Sequence, residues 1–156
     1  MRHYWFDRIL ELEPGVRAAG VKNVALSEDY FTEHFPGNPI YPGVYIVEGL
    51  AQTAGLLLHE STAREKVALL VSVDRARFVS LARPGDSLRL EVAIERIEGD
   101  TARVVGDARV GERRVAAARL TFRLWPLEEV IAEEFLPFWR GTYARWRGEF
   151  PGGGAP

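Results

Sequence analysis

The chain has 156 residues, 47% of them hydrophobic and 27% charged, with a net charge of −2 at neutral pH. That length and balance fit one globular domain with a real core, and the near-neutral charge offers no electrostatic footprint for nucleic acid. Cysteine is absent, which excludes disulfides, thiolate catalysis and cysteine metal sites. No metal site or cofactor is expected. The first residues lack an apolar signal region and no apolar run is long enough to span a bilayer, so a cytoplasmic location is expected.

Residues 6–13 read as a strand with Phe6, Leu10 and Leu12 on one face, closed by the turn signal Pro14-Gly15. Residues 16–26 read as a second strand paired with the first, and residues 27–33 as a polar and aromatic connection. A stiff loop follows, His34-Phe35-Pro36-Gly37-Asn38-Pro39-Ile40-Tyr41-Pro42. Its prolines fix φ and remove three backbone donors, so it is neither helix interior nor central strand. Residues 43–58 are apolar almost all the way round, which predicts a helix buried on every side, ending near His59. Gly49 and Gly55 each cost about 1 kcal/mol relative to alanine in a helix, which predicts close packing of helix on sheet at both. Residues 61–66 read as a polar loop.

The remainder is mostly β. Residues 67–73 form a continuous apolar run, the pattern of a strand in the centre of a sheet, and residues 76–79 continue extended. Arg83-Pro84-Gly85-Asp86 is a turn. Leu88, Leu90, Val92 and Ile94 then alternate with charged residues. Hairpin turns at Gly99-Asp100 and Gly111-Glu112 lead into strands at 101–110 and 113–124; the latter sets Ala116, Ala118, Leu120, Phe122 and Leu124 on one face. The only partner for an all-round apolar helix is the inner face of that antiparallel sheet. The fold class is therefore α+β, with residues 1–125 as the main domain. Beyond Pro126 helical spacing returns, and Pro137 is expected to separate two short helices over residues 126–150; residues 151–156 are expected to be a flexible tail.

Three features carry chemistry. Glu48 and Gln52, four residues apart, share one face of the buried helix. A carboxylate buried without partners is too costly to be there for packing alone. His34 lies one rigid loop upstream, and a helix N-terminus stands between them. His59 is read as a surface or helix-end residue. Arg75, Arg77 and Arg83 are candidate contacts for an acidic partner, or simply a solvated face.

With His34-Phe35-Pro36-Gly37, Pro42-Gly43-Val44 and Glu48-Gly49-Leu50-Ala51-Gln52 in view, residues 6–124 resemble the hot-dog-fold (3R)-hydroxyacyl-acyl carrier protein dehydratases, the FabZ/FabA type. The resemblance implies dehydration of a (3R)-hydroxyacyl thioester on acyl carrier protein to the trans-2-enoyl thioester. It makes His34 the catalytic histidine, Glu48 the catalytic carboxylate, Gly43 the donor to the thioester carbonyl and Gln52 the residue that orients the carboxylate. Phe35, Tyr41, Val44, Tyr45 and Val47 are the expected substrate contacts. It also implies a homodimer with each site shared between two protomers, with hexamers of three dimers common in the family, and no cofactor. A glutamate at position 48 matches the FabZ branch. The chain departs from the pattern at Glu33, where glycine is usual, at Tyr41 and Tyr45, and in its C-terminal segment.

The chemistry is consistent with those residues. Neutral imidazole suits removal of an α-proton near neutral pH. Helix N-terminal amides suit a developing enolate oxygen. An apolar wall favours the protonated form of a carboxyl group, which suits Glu48 to protonate the departing hydroxyl. The alternatives are a hot-dog acyl thioesterase and a non-catalytic subunit that binds acyl chains or carrier protein.

Overall fold

Residues 4–149 are described by the computed structural model. The flexible tail expected at residues 151–156 lies outside the described residues. Among the described residues six strands form one antiparallel sheet in the order β1-β2-β4-β5-β6-β3. They are β1 (Arg8–Glu13), β2 (Arg17–Asn23), β3 (Lys66–Phe78), β4 (Ser87–Glu98), β5 (Thr101–Val110) and β6 (Arg113–Pro126). One long helix, α1 (Gly43–Ser61), packs against all six. Leu50, Leu56, Leu57 and Leu58 of this helix are fully buried against Leu88, Leu90, Val104, Leu120 and Phe122 of the sheet. This is the expected α+β arrangement of one helix held by an antiparallel sheet.

Several elements depart from their sequence patterns for identifiable reasons. A bulge between Ile9 and Glu11 breaks the alternation of β1. Ile9 and Leu12 therefore turn toward the core and Leu10 is exposed, while Phe6 is fully buried ahead of the strand. The apolar run at 67–73 and the extended stretch at 76–79 merge into the single strand β3, which absorbs two register shifts, between Leu70 and Ser72 and between Val73 and Arg75. Among the described residues β3 is an edge strand, paired only with β6, and not a central one. Its composition is that of an interior strand, and Leu70, Val71 and Val73 are left exposed.

The C-terminal segment forms α2 (Leu127–Val130), a 3-10 turn at Glu133–Phe135 and α3 (Leu136–Trp146). Pro137 begins α3 instead of breaking a helix: in the first turn its missing N–H would have had no acceptor. α3 lies against the far end of α1. Arg147, just beyond α3, pairs with Glu60 at 2.7 Å, and Tyr143 meets the His59 ring edge-on at 4.7 Å between centroids. His59 stands in the last turn of α1, one of its two expected places, and it is buried there because α3 covers it. Its Nδ1–H donates to the Lys66 carbonyl at 2.7 Å. Among the described residues no helix is long and apolar enough to cross a membrane.

Candidate active site

The proline loop places His34 by four hydrogen bonds. The His34 amide donates to the Tyr30 carbonyl at 2.9 Å, and the His34 carbonyl accepts from the Ile40 amide at 3.0 Å. Within the loop, Phe35 and Asn38 exchange backbone hydrogen bonds at 3.2 and 2.9 Å. The peptide bond between His34 and Phe35 is cis. Arg83 clamps the loop from outside, donating to Asn38 Oδ1 at 2.7 Å and to the Pro39 carbonyl at 3.1 Å. Arg83 therefore braces the loop, a role its position in a turn did not reveal.

The decisive contact is on the imidazole. His34 Nδ1 lies 2.8 Å from the Ile40 carbonyl oxygen. A carbonyl only accepts, so Nδ1 carries the hydrogen and Nε2 of the neutral ring keeps its lone pair. The ring stacks on Phe35 at 4.3 Å between centroids. Glu33 is exposed to solvent.

His34 faces a cleft of about 330 Å³ that also takes in Phe35, Tyr41, Gly43, Val44 and Phe78. Gly43 is the first residue of α1, after Pro42 as its N-cap. Amides in the first turn have no acceptor inside the helix, so those of Gly43 and Val44 are available to a ligand oxygen. Phe78 lies directly over Gly43: a Cβ there would sit 2.8 Å from the ring. Sequence reasoning assigned Phe78 no role, and only its place at the end of β3 brings it here.

Glu48 and Gln52 line a second cleft, also about 330 Å³, on another face of α1. Gln52 Oε1 accepts from the Trp5 amide at 3.0 Å, which turns its Nε2–H toward Glu48 Oε1 at 2.9 Å. Gln52 thus orients the carboxylate. The backbone of the N-terminal segment passes so close to α1 that a Cβ at Gly49 would lie 2.7 Å from the Trp5 carbonyl oxygen. Gly49 serves the close packing expected of it; Gly55 does not, since a Cβ there would meet nothing within 4 Å. The helix is also not buried on every side. Val44 is 67% exposed, and Tyr45, Val47, Glu48 and Gln52 are partly exposed, because two clefts open along its first half.

Within one chain, His34 and Glu48 do not line a common cleft. Of the expected substrate contacts, Phe35, Tyr41 and Val44 line the His34 cleft. Tyr45 and Val47 line neither. Tyr45 stacks on Trp5 at 3.8 Å and belongs to an aromatic cluster with Tyr30 and Tyr41; Val47 packs against the core. Tyr41 is almost fully buried, so it presents ring wall to the cleft, and burial raises its phenol well above the ordinary value.

Residues 4–119 match the family model described as a FabA-like domain. The chain belongs to the FabA-like family. This FabA-like chain is 46% identical over 129 residues to the 3-hydroxyacyl-[acyl-carrier-protein] dehydratase FabZ of Caldanaerobacter subterraneus, a match covering 82% of this chain and 86% of the relative. It is 50% identical over 119 residues to the enzyme of the same name from Chloroflexus aggregans, covering 74% and 81% of the two chains. In fold it is similar to a hot-dog-like protein from Thermanaerovibrio acidaminovorans, with a TM-score of 0.64 at 18% identity over 83% of this chain and 93% of that one. The fold is a hot dog. The helices α2 and α3 of this FabA-like protein lie beyond the matched residues.

Proposed function

We infer that the protein is a hydro-lyase that dehydrates (3R)-3-hydroxyacyl groups carried on acyl carrier protein to trans-2-enoyl groups, in fatty acid synthesis. The observation that carries the mechanism is the Nδ1–H of His34 held by the Ile40 carbonyl, which leaves Nε2 as a base at the mouth of an apolar cleft. Nε2 removes a proton from the α-carbon. The amide of Gly43 holds the thioester oxygen as negative charge develops on it, in a geometry that a helix N-terminus supplies without reorganisation. The C–O bond at the β-carbon breaks, and Glu48, oriented by Gln52, gives its proton to the departing hydroxyl, which leaves as water. Phe35, Tyr41 and Val44 are the side chains that face the thioester end of the substrate.

His34 and Glu48 reach one substrate when a second copy brings its own loop to Glu48. This homodimer is supported by the character of β3, an edge strand with exposed apolar side chains at Leu70, Val71 and Val73. Unpaired edges of that kind are completed by another strand. Arg75 and Arg77, exposed on the same strand, suit the approach of an acidic carrier protein.

The reaction is tested by hydration of crotonyl thioester, on coenzyme A and on carrier protein, followed by loss of enoyl absorbance with the thioester intact. His34→Ala is expected to lower turnover by a factor of about 10³ or more while the protein stays folded. Near-normal turnover in that variant would sink the mechanism, and release of free acid would point to a thioesterase.

A further inference from the structure

The cleft at Glu48 continues well past the carboxylate. Its floor on α1 is the stripe Glu48, Ala51, Gln52 and Gly55, spaced so that all four share one helix face. The small residues at 51 and 55 hollow that stripe, and Gly55 faces open space instead of the sheet. From Glu48 to Gly55 the groove runs about 10 Å at the helical rise per residue. Leu69, Leu70 and Phe122 form one wall. Trp139, Tyr143 and Trp146 of α3, beyond the residues that match the family model, add an aromatic wall.

This wall is seated on the core. Trp146 packs on Phe6 at 4.6 Å between centroids, Trp139 on Tyr143 at 4.6 Å, and Tyr143 on His59 at 4.7 Å. The Arg147–Glu60 pair fixes the end of the segment to α1. An apolar groove that starts at a carboxylate and ends at an anchored indole fits a hydrocarbon tail of bounded length.

We propose that α3 closes the far end of the acyl-chain pocket, with Trp139 as the stop and Gly55 as the open floor, so that the protein accepts short and medium acyl chains and excludes long ones. This rests on the reading of Glu48 as the group beside the substrate's hydroxyl, since the carbons beyond that hydroxyl then enter this groove. In an octyl chain the carbons beyond the hydroxyl position are fewer than the groove can hold, and they lie within it. In a hexadecyl chain they outrun the groove and have to displace Trp139.

The test is calorimetry of the full-length protein with S-butyl, S-octyl and S-hexadecyl pantetheine, thioethers that carry the chain and cannot be turned over. Affinity should rise from butyl to octyl by up to about fourfold per methylene buried, then fall for hexadecyl. Trp139→Ala should recover hexadecyl binding about tenfold, and Gly55→Leu should weaken octyl binding about tenfold. Should Trp139→Ala fail to fold, Gly55→Leu tests the pocket by itself. An unchanged chain-length profile in a folded variant overturns the proposal. The dehydratase reading fails separately: no hydration of any enoyl thioester by the wild type, with the length profile intact, removes the reaction and keeps the pocket.

Discussion

A single carbonyl decides what His34 can do. Because Ile40 accepts from Nδ1, the ring is held in one tautomer and one orientation, and no carboxylate is needed to set it. Gly43 is constrained just as locally, by the Phe78 ring pressed against its Cα. Gly43→Ala should therefore push Phe78 aside. Phe78 is half exposed, so its displacement gives up little packing and stability should change by less than about 1 kcal/mol. Turnover should fall by about tenfold or more, because the ring moves across the cleft in which the proposed mechanism places the thioester. Steady-state kinetics of Gly43→Ala, and partial recovery in Gly43→Ala/Phe78→Ala, check this. Normal turnover in the single variant would mean that the close approach has no part in the reaction.

Among the elements, α1 joins both clefts and anchors α3 at its last turn. Burial of His59 beneath α3 favours its neutral ring and lowers its pKa below the ordinary value. The folded protein then binds fewer protons than the unfolded chain once the pH falls below about 6.5, the ordinary histidine value. The contribution of His59 is complete above that pH and is lost as the pH falls through its depressed folded value. The melting temperature of the wild type should therefore drop more steeply below about pH 6.5 than that of His59→Gln, which does not titrate. Parallel curves would show that His59 is not the group responsible. At the same junction, Arg147→Ala leaves Glu60, whose side chain is only 9% exposed, with Arg64 as its remaining cation at 3.0 Å. We expect a loss of about 1–3 kcal/mol in denaturant unfolding, with faster amide exchange across α3. Unchanged exchange there would show that aromatic packing holds the segment without the ion pair.

At the level of the whole molecule, His34 and Glu48 lie in two clefts of one chain, so the proposed mechanism requires assembly. If each site takes His34 from one copy and Glu48 from the other, His34→Ala and Glu48→Gln are each inactive by themselves. After unfolding and refolding as an equal mixture, half the dimers are mixed, and each mixed dimer holds one intact site. Activity should return to about a quarter of the wild-type level by that symmetry. No recovery would place both residues of a site in one chain. The exposed apolar edge of β3 is where the proposed dimer would form, since a strand with interior composition at a sheet edge offers its free backbone groups to a neighbour.

What the amino-acid order determined by itself is local. Prolines held the His34 loop away from helix and strand, the spacing of Glu48 and Gln52 placed them on one helix face, and alternation marked β4 and β6; each depends on residues a few positions apart. The motif of loop and helix named the family for the same reason. The tertiary structure alone decided what covers what. Gly49 and Gly55 are the same residue in one helix, yet one meets the Trp5 carbonyl and the other faces open space. β3 has the composition of a central strand, and the order of pairing put it at the edge. His59 ends a helix as expected and is buried because α3 returns over it from the far end of the chain. Burial and edge position are set by segments distant in sequence, and no local pattern of charge or hydrophobicity encodes which segment will arrive.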